Sequence, residues 1–384
     1  MENTWIPSLS QPSRSPFIFL SFTEKPEPTL GIYSAWAKVR VLKFMYGSTD
    51  LKGARFDFHG EPIPILKGRI IAAVLGLLYL YGSKIHIAVG ILGLLLIYVG
   101  VPWLIVKSLK FRLGYTSYRN IRFSFRGAIP EAYNMWLKFA TFPAIIIAIN
   151  LIALYLYPLE ENKADPLKPL QAPIFKFILV TSAIYLIYLL AFFPKFYAKV
   201  LTYIYSNIYY GGSRFHFVAE SKEIFHRMLL KPFIGLVLGS AAVAIIGFIA
   251  FFLSTTLNAK LIMTGYTVVA MFAAYFLFAA VWLAAVYYII DYIWNRVRLG
   301  DAQTKSTIEL KRFIFIAISN AVCVALTLGL LYPWAKMRYQ RYIINHRGID
   351  IQDFDQFTAD SQAKLSAIGE EITSAFDLDI EVGL

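Results

Sequence analysis

Seven stretches of this chain contain no aspartate, glutamate, lysine or arginine, and each is strongly apolar: 70–83, 85–106, 139–157, 177–194, 232–254, 261–290 and 313–334. A membrane-spanning helix needs about 20 consecutive apolar residues. Six of the stretches are that long. The first, with 14 residues, must tilt into its flank, pair closely with the next, or re-enter. The sixth, with 30, has length to spare for tilt. Hydrophobic residues make up 58% of the chain and charged ones 16%, against roughly 45–50% and about 25% in soluble domains. That excludes a disordered chain and argues against a water-soluble globule. The expected fold class is an all-α polytopic membrane protein of about seven transmembrane helices, with short cytoplasmic strand-like elements and an internal repeat.

The cations sort the connecting segments. Of 37 Lys and Arg, nine lie in 1–69, seven in 107–138, six in 195–231 and five in 291–312. The alternate loops hold only Lys84, three cations in 158–176, and Lys260. Positive charge accumulates on the cytoplasmic side, so the four rich segments should face the cytoplasm. The acidic loop at 158–165 should face outward. Seven spans from a cytoplasmic start would leave the C-terminal tail outside, yet that tail begins with a basic-aromatic stretch that reads as cytoplasmic. Either one stretch does not span or the last segment is inverted.

Residues 29–40 (TLGIYSAWAKVR) align without a gap on 327–338 (TLGLLYPWAKMR), with seven of twelve positions identical. Cations follow Trp36 and Trp334 at the second, fourth and seventh positions: Lys38, Arg40 and Lys43, then Lys336, Arg338 and Arg341. Trp103 keeps the fourth and seventh, as Lys107 and Lys110. At 100° per residue the Trp and these two cations share a helical stripe. A helix leaving the bilayer would then hold Trp at headgroup level with cations beyond it, so Trp36, Trp103, Trp334, Lys38, Arg40, Lys107, Lys336 and Arg338 are expected interfacial anchors. A second element alternates with period two: Arg55-Phe56-Asp57-Phe58, Arg122-Phe123-Ser124-Phe125 and Arg214-Phe215-His216-Phe217. It reads as three short strands pairing into a small sheet, or as amphipathic segments lying on the membrane with Phe inserted. A degenerate copy is read at 294–300.

These motifs, with Leu66-Lys-Gly-Arg69, Pro102-Trp103, Thr116-Ser-Tyr118-Arg119 and Tyr332-Pro333-Trp334, resemble the YjgN-like family of bacterial inner-membrane proteins, built around a domain of unknown function. The resemblance covers residues 29–345 and implies a multi-pass protein of the inner membrane. It implies no activity. The chain departs from the family pattern at its start, where Pro26, Pro28 and three charges interrupt what is elsewhere a long apolar helix. Residues 1–28 are expected as an N-terminal extension, 29–345 as the membrane domain of hairpin units, and 346–384 as an acidic tail with a short amphipathic helix around 357–372.

Catalytic and metal chemistry find no constellation. No apolar stretch holds a carboxylate, which argues against an ion-coupled carrier built on a buried acid. Asn150 and Asn320 read as hydrogen-bonding links between helices, and 239–242 (GSAA) as a close helix contact. Glu223 and His226 have a di-metal spacing, but only one copy exists. Asp350, Asp353 and Asp355 do not match a calcium loop. The single cysteine, Cys323, reads as a small buried hydrophobe. No enzyme, cofactor, metal or nucleic-acid partner is expected. The expected function is non-enzymatic transport or permeation of a small or amphiphilic solute. The alternative is a lipid-binding or scaffolding protein whose basic face holds anionic membrane lipid. Arg55, Arg122 and Arg214 are the candidate ligand-binding residues for a lipid headgroup or phosphate.

Overall fold

The computed structural model describes residues 33–157, 173–256, 259–300, 302–351, 356, 358–359 and 361–362. Residues 1–28, the acidic loop at 158–165 and most of the acidic tail lie outside them. Helix α1 (Ser34–Gly47) arrives at a hairpin of β1 (Asp50–Leu51) and β2 (Ala54–Phe58), and α2 (Pro62–Ile85) departs. The same order recurs with α3 (Ile87–Gly114), β3 (Thr116–Tyr118), β4 (Ile121–Phe125) and α4 (Ile129–Leu156). Helix α5 (Pro173–Ser206), β5 (Ile208–Tyr210) and β6 (Ser213–His216) follow. The departing helix begins at α6 (Ser221–Ile224), passes a π-helical turn (Phe225–Leu230) and continues as α7 (Lys231–Thr256). Helix α8 (Ala259–Trp294), β7 (Arg298–Leu299), β8 (Ala302–Ser306) and α9 (Leu310–Leu326) come next, and α10 (Tyr332–Asn345) carries the last strand, β9 (Arg347–Asp350).

All nine strands form one antiparallel sheet in chain order. Two-residue turns close the hairpins. Lys52 and Gly53, and Arg119 and Asn120, all have positive φ, the type I′ geometry whose twist matches the strands. Between hairpins one register recurs: Phe56↔Tyr118, Phe123↔Tyr210, Phe215↔Leu299 and Thr304↔Ile349. Each hairpin also slips. Asp57 lies opposite Ser117, and Ser117 opposite Arg122. Asp57 is six residues past Leu51, whereas Arg122 is four past Tyr118. The row therefore moves two residues at every hairpin, as it does again through Ser124, Tyr209 and Arg214. A constant stagger curls a sheet toward a barrel, and here the result is a half-barrel.

Its inner face is aromatic. Phe56, Phe123, Phe215, Tyr118 and Tyr210 pack with Ile121, Ala302 and Ile351. Ring centroids of Phe56 and Phe123 are 6.4 Å apart, and those of Phe123 and Phe215 are 6.5 Å apart. The tyrosine hydroxyls reach back one hairpin: Tyr118 donates to the Leu51 carbonyl (2.6 Å) and Tyr210 to the Tyr118 carbonyl (3.1 Å). A second set ties helix to helix. Tyr203, Tyr292 and Tyr342 each stand seven residues before Tyr210, Leu299 and Ile349. The Tyr203 hydroxyl donates to the Ala128 carbonyl (2.8 Å). The Glu220 and Glu309 amides donate to the Tyr292 (2.8 Å) and Tyr342 (3.0 Å) hydroxyls. Ala128, Glu220 and Glu309 cap the preceding departing helices, whose first amides have no partner within the helix. Phe111 holds the equivalent place in α3 and has no hydroxyl to offer.

Proline connects helices within the apolar zone. Pro102 and Pro143 lie inside α3 and α4, and each frees the carbonyl four residues back. Trp136 Nε1 donates to the Tyr98 carbonyl (3.0 Å) and the Tyr188 hydroxyl to that of Phe139 (2.8 Å), so the next helix satisfies both. Asn150 accepts from Thr181 across α4 and α5 (2.7 Å). Asn320 Nδ2 donates to the Ala335 carbonyl between α9 and α10 (2.9 Å). Gly239 sits so close to Leu277 of α8 that a Cβ would lie 2.3 Å from it.

Among the described residues six helical segments are long and apolar enough to cross a membrane: Pro62–Gly82, Ala88–Gly114, Ile129–Leu156, Pro173–Ser206, Ser221–Ile249 and Ala273–Trp294. The seventh stretch differs from expectation. It is cut at Thr327–Leu331, where Leu328 and Gly329 have positive φ, into α9 of 17 residues and α10 of 14. Because β9 pairs with β8, α10 returns to the side that α9 left. The three Arg-Phe segments also differ: they do not pair with one another but alternate with β3 and β5. The fourth counterpart is Gln303-Thr304, not the stretch at 294–300, because Thr304 takes the register place of Phe56.

The cytoplasmic sheet expected from the basic segments predicts that green fluorescent protein fused after Leu384 fluoresces and that alkaline phosphatase fused there is inactive. An active phosphatase would place the tail across the membrane from the sheet. Tyr210→Phe removes one hydrogen bond and should cost about 1 kcal/mol in thermal or denaturant unfolding. Burial raises the Tyr210 hydroxyl well above its ordinary value. Its contribution is therefore intact below about pH 10 and lost as pH climbs through the raised value. The variant should show a shallower alkaline fall in stability.

Candidate functional site

The three candidate arginines occupy one register place on three hairpins. Each is four residues past the reference position (Arg55 from Leu51, Arg122 from Tyr118, Arg214 from Tyr210). Strand alternation turns them away from the aromatic face, and all three are exposed. Two strand spacings and a two-residue slip put successive Cα atoms roughly 12 Å apart. They form a staircase along the outer face rather than one pocket.

Arg214 alone of the three lines a cavity of about 760 Å³ at the sheet end of α4 and α5. Lys195, Lys199, Glu131, Thr202, Ser206 and Asn207 share its wall. Arg214 Nε donates to the Ser206 carbonyl (2.6 Å), which holds the side chain along the rim. Its guanidinium and that of Arg126 both lie over Tyr209, at 6.0 and 4.4 Å, so two cations share one ring face. Three cations stand around this cavity against one carboxylate, Glu131. Polar groups (Asn134, Thr202, Ser206, Asn207) and apolar ones (Met135, Ala198, Ala219) alternate around the wall.

Lys195 and Lys199 escaped the sequence reading because no Trp marks them. They stand 15 and 11 residues before Tyr210, just as Trp103 and Lys107 stand before Tyr118. The available signal was Pro194, buried like Pro102 and Pro333 and one residue before the same place. The expected anchors Trp36, Trp103 and Trp334 are half-buried, and all stand 15 residues before Leu51, Tyr118 and Ile349. Arg338 lies 5.3 Å over the Trp334 ring and donates to Ser319 (2.8 Å) and to Asn320 Oδ1 (3.0 Å). Arg40 donates to Tyr33 (2.9 Å), and Arg69 donates to Ser34. Burial, and then the charges of Arg69, Arg112 and Lys336, hold the Lys38 ammonium below its ordinary value. The anchors at the two ends of the chain, Lys38 and Lys336, therefore lie near each other across the curl of the sheet.

A second group of charges, around α6 and the end of α8, is engaged within itself. Glu223 accepts from Arg227 (3.0 Å), which also reaches Asp291 (3.3 Å), while Arg296 reaches Glu220 (2.8 Å). Tyr292 lies beneath both arginines, at 5.4 and 4.8 Å. Asp350 pairs with Lys305 (2.6 Å); Asp353 and Asp355 lie outside the described residues. Among the described residues no three His, Cys, Asp or Glu side chains gather as a metal site would require.

The family described as bacterial proteins of unknown function (DUF898) matches residues 28–375. The chain is 24% identical over 193 residues to inner membrane protein YjgN of Escherichia coli (strain K12), covering 49% of this chain and 45% of the relative. It is 21% identical over the same length to the protein of that name in Escherichia coli O157:H7. The aligned region thus spans less than half of those relatives. No solved structure matches. A multi-pass inner-membrane location follows from these relatives and the six apolar helices.

Proposed function

The chain belongs to the DUF898 family of bacterial proteins, and on that premise we propose that it holds the anionic headgroup of a membrane amphiphile at the sheet end of α4 and α5. The carrying observation is the cavity bounded by Lys195, Lys199 and Arg214 with Glu131 as the one acid. A cation beside an anionic leaflet contributes roughly 1 kcal/mol, and three around one headgroup add hydrogen-bond geometry to that attraction. The protein acts without covalent chemistry. Transport of a small or amphiphilic solute is the further form of the same reading: the bound head would move while its stem follows the exposed helix faces.

The architecture is read in the same frame. The chain iterates one unit, an arriving helix, a β-hairpin and a departing helix, four times and adds half of a fifth. Helices α9 and α10 form a re-entrant hairpin rather than a seventh span. The basic segments put the sheet in the cytoplasm.

Native mass spectrometry of the purified full chain tests the binding site. Anionic phospholipid should stay bound through detergent exchange, and the Lys199→Ala, Arg214→Ala double variant should lose most of it. Arg55→Ala, distant from the cavity, should keep it. Equal retention by all three proteins would overturn the reading, as would preferential retention of zwitterionic lipid.

A further inference from the structure

The inner face of the sheet holds one cation at a place where the other hairpins hold only uncharged residues, a phenylalanine in each. At the membrane end of the strands, Phe58 lies opposite Thr116 and Phe125 opposite Ile208. Phe217 packs with Val297 at the third such place. At the fourth the partners are Ser306 and Arg347. The small serine leaves room, and the guanidinium lies over Trp294 with Cζ 4.3 Å from the ring centroid. Ile349, two residues on, belongs to the aromatic cluster, so strand alternation puts Arg347 on that same face.

Among the described residues nothing neutralises this charge. Arg347 makes no ion pair among the described residues, and its Nε is buried with no hydrogen-bond partner. The Asn345 side-chain oxygen, two residues earlier, is also buried and unpartnered. Burial draws the guanidinium down to about 10, against the opposing pull of the Tyr205 and Tyr339 hydroxyls. Buried cations are normally paired with an acid. Trp294 supplies cation–π attraction, but it leaves the in-plane N–H donors free, and those donors match a carboxylate or phosphate.

We propose that Arg347 is the base of an anion-binding site on the aromatic face of the sheet, taking a carboxylate or phosphate whose body lies against Trp294, Tyr205 and Tyr339. This site shares no residue with the cavity at α4 and α5 and does not rest on the reading of that cavity.

Thermal unfolding of the full chain in neutral detergent tests it. The melting temperature is read with sodium phosphate, with short-chain phosphatidylglycerol, and with phosphatidylcholine, at ionic strength fixed by chloride. The natural chain should be stabilised by phosphate or phosphatidylglycerol and not by phosphatidylcholine. A response to phosphate identifies a free anion as sufficient; a response to phosphatidylglycerol alone identifies a lipid headgroup. In a Lys199→Ala, Arg214→Ala background, which removes the cavity at α4 and α5 as a second source of response, Arg347→Met should lose the response and unfold at the same or a higher temperature without anion, because an unpaired half-buried charge has gone. Arg347→Lys keeps the charge but loses the planar donor pair, and its midpoint for the anion should weaken about tenfold. The proposal is overturned if the natural chain responds to neither anion. It is also overturned if, in the Lys199→Ala, Arg214→Ala background, Arg347→Met or Arg347→Lys responds as the parent double variant does.

Discussion

Lipid tails are as apolar as leucine, so an apolar helix gains little by choosing a neighbouring helix over lipid. The helices here show that indifference. No more than 22% of any candidate span is buried within the protein. What orders them is the hydrogen-bonded sheet outside the bilayer, where each strand from β2 to β8 has one partner on each side in a fixed register. The strands are only two to five residues long, yet each joins helices of up to 36 residues to a fixed neighbour. Hydrogen bonds within the apolar zone then secure pairs the sheet has already brought together. Trp136 and Tyr188 take carbonyls that proline leaves open, and Asn150 and Asn320 bridge between helices.

Much of this was legible in the chain. Charge-free stretches marked the helices, and the Arg-Phe pattern marked β2, β4 and β6. Period two is a strong signal when aromatic residues carry it. The partners β1, β3, β5 and β7 were hidden because two or three residues cannot show a period. The fourth hairpin was hidden because Gln303 and Thr304 replace Arg and Phe while the backbone keeps its place. The side of the tail was not a matter of counting spans. It followed from β9 finding β8, a contact between residues about 45 apart in sequence that no local pattern announces.

The candidate site shows the same division. Arg55, Arg122 and Arg214 were visible by their neighbours, and the sheet places them at equivalent steps of one face. That equivalence spreads them apart, so a common pocket does not form. The cavity instead gathers Arg214 with Lys195 and Lys199, which lie on an arriving helix and were masked by the loss of its Trp. Arg347 was invisible for a different reason. Its sequence surroundings are unremarked, and only the register shows that a cation stands where Thr116 and Ile208 stand elsewhere.

Each strand after the first pairs with the strand just before it in the chain. On leaving the ribosome it therefore finds one partner already made. As the ribosome releases each pair of apolar helices into the bilayer, the next hairpin emerges beside a finished edge of the same register and adds to it. Such an order suits growth from the N-terminal end like a zip, in which each new hairpin covers the edge left by the one before.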